Sequence, residues 1–186
     1  FTFGVSESSL SDRLDTLSWP THIELGYRSS MPIIEIKLIS QQADQTDFTS
    51  AETQLLNEIS PYLVARGDLN LPAELSEKLA SRPLKIYEQG TAGIVLSTLA
   101  KELPELTGRI ESLPVSAASL LARIQEENQL TLAIGSETNQ GISIALWDGK
   151  KGASQTLRVS IQNPSLRHGI IAFAAQDMLR RYLNNE

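Results

Sequence analysis

Hydrophobic positions along the chain change their period several times, and each change marks an element. In "GVSESSLSDRLDTL" Leu10, Leu14 and Leu17 recur at helical spacing behind Ser6, which predicts a helix with Ser6 as its N-cap. "FTF" before it and "HIELGY" after it read as strands. In "PIIEIKLIS" Ile34, Ile36 and Leu38 alternate with Glu35 and Lys37, the period of a half-buried strand. "YRSSMP" between these two strands reads as a hairpin or short loop, and "QQADQTD" as a turn. "SAETQLLNEISPYLVARG" has helical spacing, with Ser50 as expected N-cap and Gly67 as stop, and Pro61 should kink or split it.

A second series begins after Gly67. "LPAELSEKLAS" predicts a short helix opened by Pro72 and closed before Pro83. "LKIYE" (strand), "TAGIVLSTLAKEL" (helix), "GRIESLP" (strand) and "SAASLLARIQEEN" (helix) follow. The strands "QLTLAIGS", "GISIALWDG" and "SQTLRVSIQ" and the closing helix "PSLRHGIIAFAAQDMLRRYL" complete it. Trp147, Asp148 and Gly149 introduce the hairpin "WDGKKG". The expected organisation is a small α+β domain over 1–68, then an α/β layered domain with a mixed sheet over 69–186.

Composition narrows the chemistry. A chain of 186 residues with 41% hydrophobic and 20% charged positions is an ordinary globular mix. It contains 0 cysteines, which removes disulfides, thiolate nucleophiles and Cys-ligated zinc, and fits a cytoplasmic location. The net charge of -6 and the scattered basic residues argue against a nucleic-acid surface. No apolar run approaches the ~20 residues a bilayer crossing needs. The chain opens on Phe1 rather than Met, which reads as a fragment or processed chain with an N-terminal part upstream.

Candidate chemistry centres on "YEQGTAG", a strand entering a helix through a glycine turn. Free N–H groups at a helix N-terminus favour an anion. Gly90 and Gly93 would let a ligand approach the backbone closely and Thr91 could donate a hydroxyl; with Glu88 beside them, these are the candidate ligand-binding residues. The alternative is that the glycines only form a tight turn and Thr91 only caps the helix. His22 and His168, the two histidines, are expected to be surface or packed residues rather than bases. No paired-His spacing indicates a metal site, and no cofactor is expected. Glu126 and Glu127 read as solvated, and Arg180 and Arg181 as cations suited to a last helical turn.

Two stretches carry a family resemblance. "FGVSESSLSDRLDTL" followed by "LGYRSSMPIIEIKL" resembles the middle, KH-like domain of the CinA family (competence/damage-inducible proteins), on its enterobacterial CinA-like branch. Residues 84–101 and 140–183 resemble the family's C-terminal domain, which in active members is a nicotinamide-mononucleotide deamidase. The resemblance implies a further domain upstream of Phe1, similar to molybdopterin-binding proteins, where a pyrophosphatase-type activity would reside. It also implies a homodimer.

Active members carry A-E-S-C-T-G-G at the strand-to-helix turn, with the serine as nucleophile. Here Glu88 takes the glutamate position, Gln89 the serine, Gly90 the cysteine, Thr91 the threonine, Ala92 the first glycine and Gly93 the second. A carboxamide cannot form the acyl intermediate of a serine. The tyrosine and lysine expected after the next strand are missing from "ESLPVSAASLLARIQ", and the T-G-x-A-G-P segment is reduced to "AIGSETNQ" with Gly135 left. The resemblance thus implies a deamidase-like domain without catalytic residues, serving a structural, dimerising or nucleotide-sensing role. The alternative is an active nicotinamide-nucleotide amidohydrolase with Thr91 as substitute nucleophile. A KH-type nucleic-acid role lacks its G-x-x-G loop in residues 1–66.

Overall fold

The structure, a computed structural model, describes residues 1–41 and 45–184. The chain divides into two compact units, Phe1–Leu69 and Asn70–Glu186.

The first unit runs β1 (Thr2–Phe3), α1 (Glu7–Leu14), β2 (Ile23–Ser30), β3 (Ile33–Ser40) and α2 (Gln45–Ile59). Ser6 caps α1, its hydroxyl accepting the Ser9 N–H. That fixes the helix phase, and Leu10 and Leu14 fall one turn apart and fully buried. The strands form an antiparallel sheet in the order β1-β3-β2. Ile34, Ile36 and Leu38 share the face packed with Leu10, Leu14, Leu55 and Ile59.

Two boundaries differ from expectation. β2 continues to Ser30, because pairing with β3 from Ile23↔Ser40 to Ser30↔Ile33 draws Arg28–Ser30 into the ladder. α2 starts at Gln45, before Ser50, and ends at Ile59, well short of Gly67. Pro61 disfavours helical backbone in the residue before it, so the helix stops there rather than kinking. Of the polar stretch expected as a turn, residues 42–44 lie outside the described residues.

The second unit runs α3 (Leu71–Leu79), β4 (Leu84–Glu88), α4 (Ile94–Leu99), β5 (Thr107–Ile110), α5 (Ala117–Ile124), β6 (Leu130–Thr138), β7 (Gly141–Trp147), β8 (Gly152–Leu157) and α6 (Pro164–Asn184). Its five strands are ordered β5-β4-β6-β7-β8. β4 pairs in parallel with β5 and β6, and β7 pairs antiparallel with β6 and β8, the mixed sheet that the pattern predicts.

Register decides what each face carries. Tyr87, Ala133 and Ala145 are aligned across β4, β6 and β7 and pack with Leu120 and Ile124 of α5. The alternate residues Ile86, Leu132 and Leu146 are each no more than 0% exposed, on the face where α4 and α6 lie. Glu88 follows Ile86 on that second face.

α4 has 6 residues, much shorter than the helix expected from Thr91 onward. Ala92 (φ 53) and Gly93 (φ 90) are left-handed and belong to the turn. β5 also stops early, at Ile110, which frees Glu111–Pro114 to cross the end of β4. No helix among the described residues is long and apolar enough to cross a membrane.

Candidate functional site

The turn between β4 and α4 is built around a buried carboxylate. Glu88 ends β4 and has 0% exposure. One of its oxygens accepts the Val95 N–H at 3.1 Å, and the other the Leu96 N–H at 3.0 Å. The Thr91 hydroxyl donates to the same oxygen as Val95. Thr91 is itself 0% exposed. The left-handed pair Ala92–Gly93 folds the first turn of α4 back over the strand end, and this brings its N–H groups to Glu88. At Gly93 the backbone requires glycine, and a Cβ there would also lie 3.1 Å from Ile110 Cδ1.

Further donors of the turn and helix are engaged, the Ala92 N–H with the Gln89 carbonyl at 3.3 Å. The Ile94 N–H bonds the Thr91 carbonyl at 3.1 Å and the Ser97 N–H the Gly93 carbonyl at 2.9 Å. The N–H groups of Ala92, Ile94, Val95 and Leu96 thus have partners inside the chain.

Gln89 ties three segments together. Its N–H donates to the Ile134 carbonyl of β6 at 2.9 Å, and its side-chain oxygen accepts the Leu113 N–H at 2.7 Å. Gly90 rests on the next layer. A Cβ at this position would stand 2.3 Å from the Gly135 carbonyl oxygen and 2.0 Å from Ile142 Cδ1. Gly135 is in turn tight against the Pro114 carbonyl, 2.8 Å from where its own Cβ would be.

The structure therefore brings Glu88, Gln89, Gly90, Thr91 and Gly93 together, as their adjacency in sequence requires. Among the described residues, no lysine or histidine is hydrogen-bonded to a hydroxyl of this turn. His22 lies in the first unit, with Nε2 3.7 Å from Asp47. His168 is half-buried in the first turns of α6. The Ser97 hydroxyl donates back to the Ile94 carbonyl at 3.1 Å. Nucleophilic catalysis asks for an accessible hydroxyl beside a base; here the one hydroxyl of the turn, Thr91, is sealed and donates to Glu88. No group of three or more His, Cys, Asp or Glu residues among those described could hold a metal ion.

Sequence reading missed three features. Leu113 and Ile142 close the turn, and nothing in their local pattern announces it, since they approach from 24 and 52 residues away. Glu127, expected to be solvated, accepts the Tyr87 hydroxyl and the Lys85 ammonium, the latter at 2.9 Å. The Lys85 hydrogen bond, then that of Tyr87, holds its carboxyl below the usual range against the opposing effect of burial. The same contact with Glu127 raises Lys85. Arg180 and Arg181 likewise have more than a helix end to satisfy: both bond Asp177, at 2.7 Å each, and Arg180 is buried with it.

Comparison with known proteins gives the relatives of the chain. No family model matches the chain. A CinA-like protein of Shigella flexneri is 32% identical over 197 residues, covering 100% of this chain and 49% of its own length. A protein of Escherichia coli (strain K12) named NMN amidohydrolase-like protein YfaY matches with the same identity and coverage. The chain thus spans about half the length of the curated relatives it matches (49%). Among solved structures, a competence-damaged protein (CinA) superfamily protein from Klebsiella pneumoniae aligns with a TM-score of 0.48 at 13% identity, over 62% of this chain and 97% of that one. Another superfamily member, from Escherichia coli, aligns with a TM-score of 0.45 at 17% identity, over 68% and 96%. The sequence matches over the whole of this chain carry the assignment: the chain belongs to the CinA family.

Proposed function

We propose that the second unit is a deamidase-like domain without deamidase activity, kept as a structural or nucleotide-sensing part of a CinA-like protein. The observation that supports this most directly is the state of Gln89. It stands where the family's nucleophile would, and its side-chain oxygen is bonded to the Leu113 N–H at 2.7 Å. An amide in that place offers no acyl acceptor. Thr91, the substitute nucleophile of the competing reading, has 0% exposure and donates its proton to Glu88. Glu88, Gly90, Thr91 and Gly93 then act as the frame of the turn; a bound nucleotide would have to meet it from outside.

The same reading takes the first unit as KH-like, on its β-α-β-β-α order, and gives it no nucleic-acid role. The protein would be cytoplasmic and homodimeric, without a membrane partner.

The test is direct. The purified chain is incubated with nicotinamide mononucleotide and ammonia release is followed. The expected result is no release above the buffer rate. Turnover that disappears in Thr91→Ala would replace this reading with the active alternative.

A further inference from the structure

The loss of a nucleophile alone would leave an open cleft with one wrong side chain in it. The geometry around Gly90 describes something else. A Cβ at Gly90 meets Ile142 Cδ1 at 2.0 Å and the Gly135 carbonyl oxygen at 2.3 Å. Both distances are below 3.0 Å, so something must shift. The isoleucine end could rotate away. The carbonyl is backbone of a central strand, and its own residue is pinned by the Pro114 carbonyl, 2.8 Å from the Gly135 Cβ position. Gly90, Gly135 and Pro114 thus form a stack of backbone with no room for a Cβ at either glycine.

The side-chain bonds close the same stack from both ends. Gln89 holds Leu113, next to Pro114, at 2.7 Å. Glu88 holds the first turn of α4 through Val95 and Leu96. Resting on the reading that the domain is silent, we infer that the turn is closed by packing as well as by chemistry. Restoring a hydroxyl at position 89 therefore does not restore a nicotinamide-nucleotide site, and Gly90 is the residue on which closure depends.

Two measurements on the whole chain test this. Gln89→Ser is checked for folding by its thermal midpoint and then incubated with nicotinamide mononucleotide. The folded variant should release no ammonia. If it does so while the unaltered chain stays silent, the closure fails and the silent-domain reading stands; if the unaltered chain itself turns over, that reading fails first.

The second measurement compares two glycines. Gly90→Ala should lower the midpoint by roughly 5 °C, because overpacking against backbone is costly. Gly169, in α6, has nothing within 4 Å of its Cβ position. Gly169→Ala should raise the midpoint instead, as a glycine in a helix interior gives way to a better helix former. Ile142→Ala in the Gly90→Ala background should recover only part of the loss, since the Gly135 carbonyl remains. An unchanged midpoint in Gly90→Ala, or full recovery with Ile142→Ala, would overturn the assignment of a backbone closure.

Discussion

Two strand ends in the second unit each use a carboxylate to hold backbone N–H groups, and they do it in different surroundings. Glu88, at the end of β4, accepts the Val95 and Leu96 N–H groups and the Thr91 hydroxyl with no solvent contact. Asp148, just after β7, accepts the Lys150 and Lys151 N–H groups at 2.7 Å each and the Tyr182 hydroxyl of α6, and it remains half-buried. Each carboxylate meets the same three donors: two amides and one hydroxyl. What differs is whether water can replace a lost bond. The comparison teaches that a buried acid can be explained by the backbone it satisfies. Glu88 has a complete set of partners without any substrate.

The strongest way to break this comparison is Glu88→Gln. Glutamine keeps one acceptor oxygen and turns a donor toward groups that also donate. A buried N–H or hydroxyl then loses its partner, with no water to take over. The expected loss is about 3 kcal/mol, or roughly 6–12 °C in the midpoint for a chain of this size. A denaturant titration measures it. If Glu88→Gln unfolds at the midpoint of the unaltered chain, the carboxylate does not hold the turn, and its burial needs another explanation.

How far the sequence could show these arrangements follows from the range of the forces involved. Ser6, Leu10 and Leu14 were legible because capping and helical spacing act within one turn. The mixed sheet was legible because strand and helix periods alternate in order. Boundaries failed where a distant partner decides them: β2 runs to Ser30 only because β3 lies beside it, and β5 ends at Ile110 while Glu111–Pro114 cross toward Gln89. The site was half legible. The adjacency of Glu88, Gln89, Gly90 and Thr91 in one strand-to-helix turn could be read from the sequence, yet the contacts around it could not, since Leu113, Gly135 and Ile142 reach the turn from three separate segments. Glu127 misled for the same reason. Its partners Lys85 and Tyr87 stand 42 and 40 residues away on β4.

A smaller effect is expected at Asp148, and it carries a pH signature. Burial pushes this carboxyl up, but the Tyr182 hydroxyl, the Lys151 and Lys150 N–H groups and the Lys151 charge outweigh burial and bring it down to about 2, against an ordinary 3.8. A carboxyl lowered in the folded state adds stability that is fully present above about pH 3.8 and is lost as the pH falls toward about 2. Because the group is partly open to water, its contribution is discounted to about 1 kcal/mol. Asp148→Asn should cost about that much at neutral pH and flatten the stability curve between pH 4 and pH 2, windows set by the same carboxyl. Stability curves that stay parallel over this range would show that the hairpin turn draws nothing from the carboxylate charge. A loss at Asp148 larger than at Glu88 would reverse the ordering on which the comparison rests.

The third carboxylate sharpens the point because its partners are side chains. Glu127 accepts from Lys85 and Tyr87, both on β4, while the Trp147 indole N–H bonds its backbone carbonyl at 2.9 Å. Lys85 also lies 5.2 Å from the centre of the Tyr87 ring, beside Arg109 at 5.0 Å and Arg123 at 5.2 Å. With other cations near the ring and Tyr87 still donating, removal of one lysine leaves Glu127 partly served. Lys85→Met should therefore cost no more than about 0.5 kcal/mol, the range of partly exposed ion pairs. The clearer readout is the carboxyl itself. Glu127 is lowered in the folded protein chiefly through Lys85, so its carbon chemical shift, followed by NMR from neutral to acid pH, should titrate at higher pH in Lys85→Met than in the unaltered chain. The linked stability, present above the ordinary glutamate value and lost as the pH falls below it, should shrink in the same variant. A Glu127 titration that does not move would place the lowering on Tyr87 and Arg123 rather than on Lys85.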